Sequence, residues 1–220
     1  MIIKAINLDF YGTLVDWMPI WRRASKQIVE ENNLNISSED FALKWRKNQR
    51  ILIESKNFIL YKECIKLALL DLCKEIHIKN NSYEERLFSL WKGISPFTET
   101  KYVLNELGKN HMLGVCSNSS RDFFDICMEK IQTDFHHVLI SDETKFTKPH
   151  HEIYELAINS FDVTKEEIIH VASSQMDIRG AKNAGLKVCW INRNAENLND
   201  DTPIPDYKIS NLKEILTIIN

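Results

Sequence analysis

Polar groups follow short apolar runs at Asp9, at Ser117-Asn118, at Lys148 (behind Ser141-Asp142), and at Ser173-Ser174 with Asp177. A carboxylate such as Asp9 can act as a nucleophile, attacking an electrophilic carbon or phosphorus to form an ester or acyl phosphate. Asp is also favoured in turns, so Asp9 taken alone reads equally as a turn cap. A lysine nearby would keep that carboxylate ionised. The Ser117 hydroxyl and Asn118 amide could hold substrate oxygens or a developing oxyanion. Asp177 reads either as a helix N-cap or as the group that positions Lys148 or a hydrolytic water. Each residue alone has an ordinary structural explanation. Four such positions after four runs are harder to dismiss.

These positions must be brought together by the elements that carry them. Ile2, Ile3, Ala5, Ile6 and Leu8 form an apolar run ending at Asp9, which suits a buried parallel strand. Further strands are expected over Met112–Cys116, Val138–Ile140, Ile168–Ala172 and Val188–Ile191. They alternate with helices over Thr98–Leu107, Arg121–Ile131, Lys148–Ala157 and Asp177–Asn183, with an amphipathic tail over Ile209–Ile219. Such alternation predicts an α/β, doubly wound parallel sheet. In that architecture the carboxyl ends of the strands converge on one crevice.

Between Met18 and Lys92 the pattern is helical, and no glycine occurs between Gly12 and Gly93. Trp21, Ala24, Ile28 and Val29 recur at helical spacing. Phe41, Leu43 and Trp45 do so after the capping sequence Ser37-Ser38-Glu39-Asp40. The segment reads as a helical cap over residues 16–95, inserted into a core of residues 1–15 and 96–220, with short hinges near Val15–Trp17 and Gly93–Phe97. Its apolar face from Leu60 to Cys73 could close on the core or on a second copy, so a homodimer is compatible with it.

The whole chain has 220 residues, 44% hydrophobic and 27% charged, which suits a soluble globular protein. A net charge of −3 without a basic block argues against nucleic-acid and anionic-membrane partners. The five scattered cysteines (Cys64, Cys73, Cys116, Cys127, Cys189) suggest neither a zinc site nor a disulfide framework. No apolar run approaches membrane-spanning length and no signal segment is read, so the expectation is cytoplasmic.

On Asp9-Phe10-Tyr11-Gly12-Thr13, Ser117, Lys148 and Asp177 the chain resembles the haloacid dehalogenase-like hydrolase superfamily. That resemblance implies a Rossmann-like core with a helical cap after the first strand and a nucleophilic Asp9. Phosphatases of the superfamily carry a second Asp two residues after the nucleophile and Gly-Asp in the final motif; here those places hold Tyr11 and Ala172-Ser173. A hard divalent cation needs several oxygen ligands, so both departures point away from magnesium-dependent phosphoryl transfer.

The (S)-2-haloacid dehalogenase branch is more similar. It shares Asp9 to Leu14, Trp45-Arg46, Ser117-Asn118, Lys148-Pro149 with Tyr154, and Cys189-Trp190-Ile191-Asn192-Arg193. The resemblance implies that Arg46 receives a leaving halide. Without it, Arg46 among Lys44, Lys47 and Arg50 would read as a solvated helix charge. The branch's Ser-Ser-Asn-x-x-Asp motif becomes Ala172-Ser173-Ser174-Gln175-Met176-Asp177, so Ala and Ser174 replace polar partners.

The resulting expectation is a hydrolase with a covalent aspartyl ester, acting on a small 2-halo carboxylic acid without metal or other cofactor. Its catalytic residues would be Asp9, Thr13, Lys148, Ser174 and Asp177. Its substrate contacts would be Tyr11, Arg46, Ser117, Asn118, Tyr154 and Ser173, with Tyr61 and Trp45 as further candidates. The alternatives are a phosphatase holding Mg2+ on Asp9 and Asp177, and a non-catalytic ligand-binding protein of the same fold.

Overall fold

The computed structural model describes residues 2–79 and 81–219. β1 (Ala5–Leu8) is fully buried, apolar except for Asn7, and leads into a two-residue strand β2 (Val15–Asp16). Four helices follow: α1 (Met18–Glu31), α2 (Ser38–Ile53), α3 (Tyr61–Glu75) and α4 (Glu84–Leu90). A second two-residue strand, β3 (Ser95–Pro96), pairs antiparallel with β2. The two expected hinges are thus tied together as a small ribbon.

The rest of the chain alternates: α5 (Thr100–Leu107), β4 (Met112–Ser117), α6 (Arg121–Ile131), β5 (His137–Ile140), α7 (Ser141–Thr144), α8 (His151–Asn159), β6 (Ile168–Ala172), α9 (Gln175–Asn183), β7 (Lys187–Ile191), β8 (Tyr207–Ile209) and α10 (Ile215–Ile218). The main sheet has the order β5-β4-β1-β6-β7-β8, and each neighbouring pair is parallel. β4 and β5 lie to one side of β1, and β6, β7 and β8 to the other. The switch point therefore falls between β1 and β6, where doubly wound sheets open a crevice at their carboxyl ends.

Alternate residues of each strand serve the two faces of the sheet. Ile6, Leu8, Val115, Ile169 and Val171 pack on the side of α5 and α6, with Leu104, Phe124 and Cys127. Ala5, Cys116, Ile168 and Trp190 pack on the other side, beneath Ile153 and Tyr154 of α8 and Ile178 of α9. The face of α3 from Cys64 to Cys73 closes on its own chain's core, not on an open surface.

Several expectations need correction. Leu43 is 51% exposed, because two residues along a helix is about 200° of rotation and Trp45 has taken the core side. α9 begins at Gln175 with Ser174 as its N-cap, so Asp177 is not the cap. β8 pairs with β7 and ends at Ile209, the first residue of the expected amphipathic tail. No described helix is long and apolar enough to cross a membrane.

Candidate active site

Asp9 leaves the end of β1 with its carboxylate held on both oxygens. Thr13 Oγ1 donates to Oδ2 at 2.7 Å, and Lys148 Nζ donates to Oδ1 at 2.5 Å. The same Nζ donates to Asp177 Oδ2 at 2.5 Å, so one ammonium bridges two carboxylates. Asp177 Oδ1 accepts from the Tyr154 hydroxyl at 2.5 Å and faces His170 Nε2 at 2.9 Å. Tyr154 reaches it because α9 carries Gly180, where a Cβ would lie 2.4 Å from the Tyr154 ring.

Burial makes these contacts electrostatically strong, since unpaired buried charge is costly. Desolvation alone would lower the Lys148 pKa, but Asp177 and Asp9 outweigh it and push it above lysine's ordinary value. Desolvation alone would raise Asp177, but Lys148 and His170 outweigh it and hold that carboxyl well below the usual range. Burial pushes the Tyr11 and Tyr154 phenols well above theirs, and Asp177 adds to the effect at Tyr154. Cys116 is no competing nucleophile, because burial raises its thiol to about 12.

The cleft over Asp9 is lined by Tyr11, Arg46, Gln49, Tyr61, Asn118, Lys148 and Ser174, among others. Asp9 is 7% exposed and Lys148 2%, so both carboxylate and ammonium meet the cleft through a narrow opening. α2 forms the roof. Its end, the loop after it and the start of α3 are tied to the core by bonds from Thr147 Oγ1 to Ile53 O (3.1 Å), His150 Nε2 to Ser55 O (3.1 Å) and Tyr61 N to Asp142 Oδ1 (2.8 Å). Arg46 is no solvated surface charge. Its guanidinium carbon sits 3.3 Å above the Trp17 ring, its Nε is buried without a partner, and it has no ion pair among the described residues. Burial lowers its pKa to about 10.

The sequence-predicted residues fall into distinct places. Asp9, Tyr11, Arg46, Asn118, Lys148 and Ser174 line the cleft. Asn118 clasps Lys148, its Nδ2 donating to the Lys148 carbonyl at 3.0 Å and its Oδ1 accepting from the Lys148 amide at 2.9 Å. Tyr11 hydrogen-bonds Ser119 Oγ at 2.8 Å. Ser117 ends β4 with a buried Oγ that has no partner.

Tyr154 and Asp177, both fully buried, stand behind Lys148 instead of facing the cleft. Tyr154 therefore braces Asp177 and is not placed to contact substrate. Ser173 turns away as well: its carbonyl accepts from Trp190 Nε1 at 3.0 Å, and it lines a neighbouring groove beside Gly12 and Arg193. Trp45 is buried and donates to Ile65 O at 2.8 Å, so it supports the roof from within. Sequence reasoning missed His170 and Asn7, although a lone polar residue inside each apolar strand was a readable signal.

The donor set does not fit magnesium. The two candidate carboxylates already share the Lys148 ammonium, and the other oxygen of Asp177 is engaged by Tyr154 and His170. Ala172 and Ser173 supply no further carboxylate.

This geometry matches known proteins along the whole chain. Residues 6–191 match the model of the haloacid dehalogenase-like hydrolase family. Haloacetate dehalogenase H-2 of Moraxella sp. (strain B) is 28% identical, covering 99% of this chain and 98% of its own. Glyceraldehyde 3-phosphate phosphatase of Pyrococcus furiosus is also 28% identical, covering 99% of this chain and 93% of its own. The crystal structure of the L-2-haloacid dehalogenase RSc1362 superposes with a TM-score of 0.86 at 25% identity, covering 100% of this chain and 99% of that one. The parallel sheet, the carboxylate after its central strand and the family match thus converge: the chain belongs to the haloacid dehalogenase-like hydrolases.

Proposed function

We propose that this hydrolase removes halide from a small (S)-2-halo carboxylic acid through an ester of Asp9. An Asp9 carboxylate oxygen attacks C2 of the substrate as the carbon–halogen bond breaks and the halide leaves with the bonding pair. Water then adds to the carboxyl carbon of Asp9. The tetrahedral adduct collapses, the 2-hydroxy acid departs, and the net proton is released to solvent. The nucleophile's carboxylate is regenerated.

The observation that carries this reading is the position of Lys148 Nζ, 2.5 Å from both Asp9 and Asp177. It neutralises the nucleophile's surroundings where a metal-dependent phosphatase would need a cation, so no cofactor is required. Thr13 and Lys148 fix the carboxylate in one orientation, as a preorganised site demands. Arg46 is the natural acceptor for halide, because it is a half-buried cation with no ion pair among the described residues and a buried, unpartnered Nε. The unpartnered Ser117 Oγ and the remaining amide hydrogen of Asn118 are available to the substrate carboxylate. Water for the second step would meet Lys148 and Ser174, which line the cleft, while Asp177 acts from behind through Lys148. Residues 16–95 form the cap, with the β2–β3 ribbon as its joint.

The test is chloride release from (S)-2-chloropropionate in the presence of chelator, with single turnover in heavy-oxygen water. Label should enter Asp9 on the first cycle. Label found directly in the product would exclude the ester. Magnesium-stimulated hydrolysis of an aryl phosphate, with no halide release, would establish the phosphatase instead.

A further inference from the structure

Behind the cleft, on the sheet face covered by α8 and α9, one polar row crosses four parallel strands. His137 of β5, Gly114 of β4, Asn7 of β1 and His170 of β6 are successive register neighbours. His137 Nε2 lies 3.2 Å from Asn7 Oδ1, Asn7 Nδ2 lies 2.9 Å from His170 Nδ1, and His170 Nε2 lies 2.9 Å from Asp177 Oδ1. Asn7 and His170 are fully buried. Gly114 makes the row continuous, because a Cβ there would lie 2.2 Å from the His137 ring that passes over it.

The donor directions follow from the groups themselves. An amide nitrogen only donates, so His170 Nδ1 accepts and its proton sits on Nε2, aimed at Asp177. An amide oxygen only accepts, so His137 Nε2 is the donor at the far end. Burying polar groups in these strands is unfavourable unless they are satisfied, and Asn7 and His170 are, whereas His137 Nδ1 at the outer end is buried without a partner. The row ends on the carboxylate that holds Lys148.

We propose that His170, oriented by Asn7, is a positioning residue of the hydrolytic reaction. It fixes Asp177 so that Lys148 stays against Asp9. With Oδ1 engaged by both Tyr154 and His170, the Asp177 carboxylate cannot pivot without breaking two bonds. Its Oδ2, and the Lys148 ammonium attached to it, are thereby held in place. Without His170, Tyr154 is the only brace on Oδ1, and the ammonium loses its fixed distance to the nucleophile. The inference rests on the reading of Asp9, Lys148 and Asp177 as the reaction centre.

The experiment compares His170→Phe, which keeps a buried ring but no donor, with His170→Gln, which restores a donor. With (S)-2-chloropropionate, His170→Phe should lower kcat by about 10²-fold, the scale of a small misplacement of catalytic groups, and leave KM nearly unchanged. His170→Gln should recover most of that loss. A second readout needs no substrate: the Nζ signal of Lys148 in protein labelled with 15N-lysine. An ammonium locked between two buried carboxylates exchanges protons slowly and should give a resolved peak, which His170→Phe shifts or broadens and His170→Gln retains.

Should His170→Phe not fold, Asn7→Ala removes the group that orients the ring, together with the acceptor of His137 Nε2, and gives the same readouts in weaker form. Wild-type kcat in the folded His170→Phe variant, whatever its melting temperature, overturns the proposal. If the wild type releases no halide, the dehalogenase reading fails separately. The Lys148 signal then decides alone, and an unmoved peak overturns the positioning role.

Discussion

On the floor of the cleft every charged group has a partner, whereas the roof holds a half-buried cation with no carboxylate partner among the described residues. Asp9, Lys148 and Asp177 share a continuous set of hydrogen bonds with Thr13, Tyr154 and His170. Arg46 on α2 has only the Trp17 ring beneath it and a 3.9 Å contact to Met18 Sδ. A cation stacked on Trp gains roughly 1–2 kcal/mol, which offsets only part of the cost of burying an unpaired charge. The two regions therefore have different tasks. The floor is finished before substrate arrives, as electrostatic preorganisation requires. The roof leaves the Arg46 cation on the Trp17 ring, where the proposed halide would bind.

The comparison can be broken in graded steps. Asp9→Asn removes the proposed nucleophile and should lower kcat for halide release by about 10⁴-fold or more, measured by chloride-selective titration. Retention of turnover would show that the floor's chemistry lies elsewhere. Lys148→Met leaves two buried carboxylates without their shared cation. It should destabilise the fold by about 3–5 kcal/mol in urea unfolding, besides abolishing turnover.

Arg46→Met acts on the roof and should behave in the opposite way. It should lower kcat/KM by about 10²-fold, while urea unfolding shows no loss of stability, because a half-buried charge with no carboxylate partner among the described residues has been removed. A stability loss like that of Lys148→Met would erase the distinction between floor and roof.

A finer test uses pH. The Asp177 carboxyl is held below its ordinary value, so its contribution to stability is present above the unfolded value near 4 and is lost as pH falls through the depressed one. Lys148 is raised, so its contribution is complete below about 10.4 and is lost only as pH rises through the raised value. Arg46 has the reverse sign: with its pKa lowered to about 10, burial of its charge costs stability below that pH and is relieved above it. Acid titration of urea stability should fall more steeply in wild type than in Asp177→Asn. The smallest effect is expected for Tyr154→Phe, which removes one donor from a carboxylate that keeps two others. It should cost about 1–3 kcal/mol and leave KM unchanged.

Much of the floor was readable in the chain. Asp9, Ser117-Asn118, Lys148 and Asp177 each follow an apolar run, and parallel strands deliver such residues to one edge. The row behind it was harder to read. Asn7 and His170 are 163 positions apart, and their contact depends on strand register, which no local pattern encodes. The orientation of the final loop was equally hidden. Ser173 and Ser174 are adjacent and chemically alike, yet one lines the groove beside Gly12 and Arg193 and the other caps α9 at the cleft. Tyr154 looked like a substrate contact because its helix follows Lys148, but Gly180 allows it to slide beneath α9 to Asp177.

By itself the sequence determined the alternation of strands and helices, the helical insertion and the carboxylate at the end of the first strand. Those features depend on short-range periodicity and on residue type. Tertiary structure alone decided which carboxylate meets the cleft and which stands behind it, that Lys148 bridges the two, and that Arg46 rests on Trp17 with no ion pair among the described residues. Each of these is a matter of distance and burial between segments remote in sequence. A lysine between carboxylates and an arginine under a helix are the same kind of charge until packing removes the water around them.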